Sequence, residues 1–328
     1  MSVLVFGGAG YIGSHTVYEL LDNGYDVVVA DNLSTGHIEA VPERAKFYNG
    51  DIRDKKFVDG IFKKEKIDCV IHFAAYSLVG ESMSSPLKYY NNNLYGTMNL
   101  LENMVENGVK NIVFSSTAAT YGEPERIPIY EEDRTCPTNT YGETKLSMEK
   151  MMKWTEQAHG IKYVALRYFY ACGAHVSGVI GEDHSPETHL IPIILQVPNG
   201  KRPYVSIFGD DYDTPDGTCI RDYIHVTDLA RAHILAMEYM AKGGQSDVFN
   251  LGNGVGFSVK EIVEASERAT GFKIPVKIEK RRAGDPAKLV ASSQKAKNVL
   301  KWKPEFTNIE EIIKTAWLWH STHPNGYK

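Results

Sequence analysis

Tyr141 and Lys145 stand four positions apart in a helical pattern, so a phenol and an ammonium share one helix face. A phenol of pKa about 10 is a poor base at neutral pH, and a nearby cation is what would favour the phenolate. Ser115, Ser116 and Thr117 close an apolar run and offer hydroxyls where ligands bind in open α/β sheets; the same run also suits strand-end capping. A third group is glycine-rich: Gly7, Gly8, Gly10 and Gly13 follow the first apolar run and open an amphipathic segment. Glycines there permit a tight turn and close approach of a pyrophosphate to a helix N-terminus. Asp31 ends the next apolar run, near the spacing expected of an acid that binds an adenosine ribose. A carboxylate there repels a 2′-phosphate, so NAD is expected rather than NADP; turn capping is the alternative role. Asp51 follows a short third run and suits either an adenine amine or a loop cap.

The elements that must position these groups are legible as alternation. Runs at 3–6, 26–30, 69–73, 111–115 and 163–167 read as buried strands, and 12–22, 54–64, 88–107 and 141–158 read as helices. Strand–helix alternation predicts an α/β fold: a doubly wound, Rossmann-like parallel sheet. From 171 to 218 the chain is rich in Gly, Pro and Asp, which predicts irregular functional loops. Helical patterns return at 226–241, 258–270 and 309–320. The expected organisation is an NAD-binding domain at 1–170, with 222–243 returning to it. A smaller C-terminal α/β substrate domain then takes 171–221 and 244–328.

Composition agrees with a globular chain. Of 328 residues, 43% are hydrophobic and 23% charged, enough to build a large core. Lys plus Arg minus Asp plus Glu gives 36 − 41 = −5, so neither nucleic acid nor a membrane is expected as a partner. Four separated cysteines without a C-x-x-C pair, and no basic leader, predict a cytoplasmic protein with reduced thiols and no metal site.

The glycine loop, Phe73-Ala74-Ala75, Ser115 to Thr117 and Tyr141-x-x-x-Lys145 together resemble the extended short-chain dehydrogenase/reductase superfamily. Segments 77–82, 89–93, 217–226, 281–285 and 320–327 narrow the resemblance to its nucleotide-sugar 4-epimerases, over essentially the whole chain. That resemblance implies reversible, NAD-dependent interconversion of UDP-galactose and UDP-glucose at sugar C4 through a 4-keto intermediate, in galactose metabolism. Tyr141 would be the base at the 4-hydroxyl and Thr117 would bond the same oxygen. Lys145 would hold the nicotinamide ribose and lower the tyrosine pKa. NAD would lie against Gly7, Gly10, Tyr11, Ile12, Gly13, Asp31, Asn32, Asp51, Ile52, Phe73, Ala74, Ala75, Asn93, Ser115, Tyr141, Lys145 and Tyr168.

For the UDP-sugar, the resemblance implies Arg221 and Arg282 on the diphosphate and Phe208 and Asp285 on the uridine. Thr117, Tyr141, Tyr170, His189, Leu190 and Leu289 complete its set. Both arginines also have acidic neighbours, Asp222 and Asp285, with which they could simply pair.

Tyr170 departs from the family pattern, in which asparagine is usual, and is expected to weaken or alter substrate binding. Leu289 stands where side-chain size governs acceptance of N-acetylhexosamines, so a 4-epimerase of those sugars is one alternative. A binding protein impaired by Tyr170 is another. Ala118 and Ala119 supply no acid beside Thr117, which disfavours dehydration of the sugar. A homodimer is expected through helices 88–107 and 141–158, with Leu94, Met98 and Leu101 facing Met148, Met151, Met152 and Thr155; packing on their own sheet competes for those faces.

Overall fold

The computed structural model describes residues 1–282 and 285–327. Ala283 and Gly284, inside the 281–285 segment, and Lys328 at the end of the expected substrate domain lie outside the described residues. Seven parallel strands form one sheet: β1 (Ser2–Phe6), β2 (Asp26–Asp31), β3 (Lys46–Asn49), β4 (Cys69–His72), β5 (Asn111–Thr117), β6 (Lys162–Tyr168) and an edge strand Asp247–Leu251. Their spatial order is Asp247–Leu251, β6, β5, β4, β1, β2, β3.

Alternation along each strand divides the core between two faces. Val3, Val5, Val27, Val29 and Ile71 join Val17 and Leu20 of helix Tyr11–Asp22, and Leu229 and Met237 of helix Val226–Ala241. Leu4, Phe6, Val28, Val70 and Phe114 face the other way, onto Ile61, Leu100, Met104, Met148 and Met152. Apolar side chains on both faces are why the strands read as near-continuous hydrophobic runs. The fold is the expected doubly wound sheet.

Three details differ from the sequence reading. Asp247–Leu251 completes the sheet by pairing with β6, although only two of its side chains, Phe249 and Leu251, enter the main core cluster on that side. The helix expected at 88–107 is interrupted. Tyr90–Tyr95 adopts the wider π-type winding before Gly96–Asn107 resumes the α-helix. Three successive asparagines, Asn91 to Asn93, favour that departure because their amides bond elsewhere. Of the expected dimer stripe, Leu101, Met148 and Met152 are buried in their own core, which removes them from any partner surface.

The remaining chain packs Leu190–Leu195, Val259–Thr270 and Ile309–Thr322 around a third core with Ile194, Ile262, Ile312 and Ile313. Short ladders edge it: Val205–Phe208 with Val276–Glu279, and Ile220–Arg221 between Phe257–Ser258 and Lys288–Leu289. No helix among the described residues is long and apolar enough to cross a membrane.

Candidate functional site

Parallel register brings the C-terminal ends of β1, β2, β4, β5 and β6 to one edge, and a cavity of about 650 Å³ opens there. Its lining includes Gly7, Gly10, Tyr11, Ile12, Gly13, Asp31, Asn32, Ile52, Phe73, Ala74, Ala75, Ser115, Thr117, Tyr141, Lys145 and Tyr168. Tyr170, His189, Asp285 and Leu289 reach it from the smaller lobe.

The glycines have different reasons to be bare. Gly7 has φ +79°, and a Cβ on it would meet Ala74 N at 2.6 Å; a Cβ on Gly13 would meet Gly7 O at 2.1 Å. Both are required by the chain's own packing. Gly10 is not, since its φ is −78° and a Cβ there would meet only Gly7 O, at 3.4 Å. Gly10 caps helix Tyr11–Asp22 with no side-chain hydrogen bond, leaving first-turn N–H groups beside the cavity. Such an uncovered helix start suits the pyrophosphate of a dinucleotide, so the residues present fit NAD.

Asp31 serves its own loop as well as the cavity. Its Oδ2 accepts from Ala9 N at 3.0 Å and its Oδ1 from Leu33 N at 2.8 Å, while burial pushes the carboxyl up from its usual range. Asp51 is committed elsewhere: Arg53 holds it bidentately at 2.9 and 2.7 Å and pushes its pKa down, and Asn32 Nδ2 donates to it at 3.1 Å. Gly50 and Ile52, rather than Asp51, line the cavity. Asn93 is likewise one layer back. It clamps Tyr76 through N–H and C=O at 2.9 and 3.1 Å and donates to Thr144 Oγ1 at 3.0 Å, tying the 90–95 turn to helix Thr140–His159.

Helix Thr140–His159 starts where Asn139 Oδ1 accepts from Gly142 N at 2.8 Å, and Tyr141 N donates to Ser82 Oγ at 3.1 Å. These caps fix the turn that carries Tyr141. One turn on, Lys145 Nζ donates to Ser115 O at 2.7 Å, so β5 and the helix are joined at the reacting edge. Ser115 Oγ and Tyr168 Oη lie 2.8 Å apart. Burial dominates the electrostatics of the pair. It pushes Tyr141 up, opposed by the Thr117 hydroxyl, and moves Lys145 down to about 7, opposed by Glu149. In the protein alone, then, the ammonium lies 5.9 Å from the Tyr141 ring centre and does not offset the phenol's burial.

Glu149, unmarked in the sequence reading, is itself buried. Arg167 grips it at 3.0 and 2.6 Å and Ser116 Oγ donates to it at 2.5 Å. Ser116 and Arg167 are polar residues inside two otherwise apolar strands, a signal the sequence carried, but it takes β5–β6 pairing and the packing of helix Thr140–His159 on those strands to bring Glu149 to them.

Of the residues expected at the UDP-sugar, Arg221 is 5% exposed and already well partnered. Nη1 donates to the carbonyls of Ile220 and Pro286, Nη2 to Asp285 at 3.2 Å, and Nε to Tyr170 Oη at 3.2 Å. Arg282 stacks over the Phe208 ring, 4.0 Å from its centre. Phe208, Arg221, Arg282 and Leu190 do not themselves line the cavity, whereas Glu182 and His184, overlooked in the sequence, do.

The family described as "NAD dependent epimerase/dehydratase family" matches residues 3–252. A protein of Halalkalibacterium halodurans named UDP-glucose 4-epimerase is 60% identical over 327 residues, covering 100% of this chain and 98% of its own. A crystal structure titled as a UDP-glucose 4-epimerase superposes with TM-score 0.99 at 59% identity, covering 100% of both chains. Another, the Bifidobacterium longum UDP-glucose 4-epimerase in complex with NAD+ and UDP, gives TM-score 0.94 at 42% identity, again covering 100% of both.

Proposed function

The chain belongs to the NAD dependent epimerase/dehydratase family, and on that premise we propose that it interconverts UDP-galactose and UDP-glucose by NAD-dependent epimerisation at sugar C4. The observation that carries this reading is the convergence of Tyr141, Lys145 and Thr117 on one cavity with the uncovered glycine loop. NAD bound at that loop supplies the acceptor and donor of the C4 hydride, with a 4-keto sugar between the two transfers.

The chain's own residues manage the proton. Tyr141 Oη takes it from the sugar 4-hydroxyl and returns it, and Thr117 Oγ1 bonds the same oxygen. Burial raises the Tyr141 pKa, so the phenolate depends on positive charge arriving with the cofactor. Lys145, fixed by the Ser115 carbonyl, presents its remaining N–H donors to the nicotinamide ribose. Asp285 faces the nucleotide end, with Arg282 and Phe208 behind it and Arg221 reaching it only by exchanging its present partners; Tyr170, His189 and Leu289 border the sugar, with Leu190 next to His189 in the chain. Anchoring by UDP leaves the sugar free to present its other face. Ala118 and Ala119 line the cavity after Thr117 and supply no acid for dehydration.

The test is incubation with UDP-galactose and no added cofactor, followed by NMR. UDP-glucose should appear. No product, even with NAD added, would overturn the reading.

We also infer a homodimer. Of the expected stripe, Met98 is exposed and Leu94, Met151 and Thr155 are half-buried, and Leu87, Tyr95 and Trp154, outside that stripe, add exposed apolar surface on helices that pack against one another. The UDP-hexose substrate points to galactose metabolism. Free Cys69, Cys136, Cys172 and Cys219 support a reducing compartment, the cytoplasm.

A further inference from the structure

The segment leading into helix Leu190–Leu195 carries Glu182, His184, Glu187 and His189, four donors within eight residues. Each offers one donor atom, and all four atoms lie within 4.8 Å of one another. His184 Nδ1 is 3.2 Å from Glu182 Oε1 and 3.7 Å from Glu187 Oε2. His189 Nδ1 is 2.8 Å from Glu182 Oε1 and 3.1 Å from Glu187 Oε1. A tetrahedral ion with bonds of about 2.0–2.1 Å sets its ligand atoms roughly 3.3 Å apart. The four separations bracket that value.

A second observation concerns His184. Its Nδ1 is fully buried and makes no hydrogen bond, although two carboxylates stand beside it. A buried nitrogen 3.2 and 3.7 Å from two carboxylate oxygens and without a hydrogen bond of its own is available as a ligand to an ion between them, and buried polar atoms without partners are rare.

The surroundings are those of a supported site. The Trp319 indole donates to Glu182 O at 3.0 Å, and Glu187 Oε1 accepts from the backbone N–H groups of Thr188 and His189 at 2.7 and 2.8 Å. His37 Nε2 contacts Asp183 O at 3.1 Å. Such outer contacts fix ligand orientation before an ion arrives. As ligands the two imidazoles are neutral, so with two carboxylates the set carries −2, which a divalent cation cancels as it displaces the imidazole protons.

We propose that Glu182, His184, Glu187 and His189 form a four-coordinate site for a divalent transition-metal cation of the zinc class. The ion's role is to pin the 181–189 segment as one wall of the cavity, which Glu182, His184 and His189 line opposite Tyr11. His189, expected from the sequence to meet substrate, acts as a ligand here. No redox or proton step depends on the ion.

The experiment uses the full chain as purified, with metal content measured by mass spectrometry and Co²⁺ titration followed by visible absorption. About one zinc per chain is expected, along with the d–d bands of a tetrahedral cobalt site saturating at about one equivalent. Chelation should lower Tm. His184→Gln with His189→Gln should abolish both the metal and the bands. Substoichiometric metal with no cobalt band in the wild-type chain would overturn the proposal and leave a closed set of ion pairs. So would metal that persists in the double variant. Neither readout involves epimerisation, so failure here leaves the proposed activity untouched, and the reverse.

Discussion

Arg221 donates through Nε to the Tyr170 phenol at 3.2 Å, so the side chain that lines the cavity, Tyr170, is tied to an arginine one layer behind it. Its other donors already meet Ile220 O, Pro286 O and Asp285. An arginine so fully bonded has little left with which to grip a diphosphate.

Tyr170→Asn should therefore tighten nucleotide-sugar binding. Releasing one hydrogen bond to a charged donor is worth about 1.5–3 kcal/mol, so KM for UDP-galactose should fall roughly ten- to 150-fold. Steady-state kinetics with UDP titration calorimetry decides it, and unchanged KM and kcat would sink the idea.

Tyr141→Phe removes the proton carrier while keeping the buried ring. We expect kcat to drop about 10²- to 10⁴-fold with Tm and bound nucleotide unchanged. A variant retaining more than a tenth of wild-type turnover would move the base elsewhere.

The two glycines should separate folding from cofactor binding. A Cβ at Gly13 meets Gly7 O at 2.1 Å, so Gly13→Ala should destabilise by more than about 2 kcal/mol. Gly10→Ala meets only an ordinary contact and should cost less than about 1 kcal/mol in the apoprotein while weakening NAD retention at least tenfold. Thermal melts with and without NAD distinguish the two, and equal melts for both variants would contradict the assignment.

Lys145 gives a pH signature. Burial moves its folded pKa down to about 7, against about 10.4 unfolded. Between those values the unfolded chain holds a proton that the folded chain lacks, so this group's contribution to stability rises with pH. The penalty is complete below about pH 7 and gone above about 10.4, a few kcal/mol in all. Lys145→Met should thus raise the apoprotein Tm most at pH 6–7, with the difference shrinking towards pH 10. A pH-independent difference would refute the buried-cation account.

For the assembly, light scattering at micromolar concentration should return twice 36.7 kDa, and Trp154→Asp with Met98→Asp should return one chain mass. A monomer in the wild type rejects the dimer.

What the sequence disclosed follows from the range of each interaction. The glycine loop and the Tyr141–Lys145 pair are local patterns, readable because helix and turn geometry fix neighbours four or fewer residues apart. Both of the sheet's faces were legible as runs such as Val3 to Phe6. Asp51's partner Arg53 is only two residues away, but spacing alone does not say whether that fork closes on Asp51 or a ligand takes its place. Asn93 could not be placed because its partners, Tyr76 and Thr144, are distant in sequence. The pairing of Glu149 with Arg167 was invisible for the same reason, the two being 18 residues apart and joined only through adjacent strand and helix. The 182–189 donors were local and could have been found by spacing, but they sat in a stretch whose Gly and Pro content drew attention to loops.

The edge strand Asp247–Leu251 has a consequence for any attempt to divide the molecule. It covers β6, whose hydrogen-bonding edge would otherwise run open from Val164 to Tyr168. A fragment ending at residue 170 would keep every glycine-loop and Tyr141–Lys145 residue yet present that bare edge, together with apolar β-sheet surface, to other copies of itself. Such a half-molecule should self-associate by strand pairing instead of folding as a soluble nucleotide binder. The last residues needed to protect the sheet arrive only after the chain has passed through the opposite lobe.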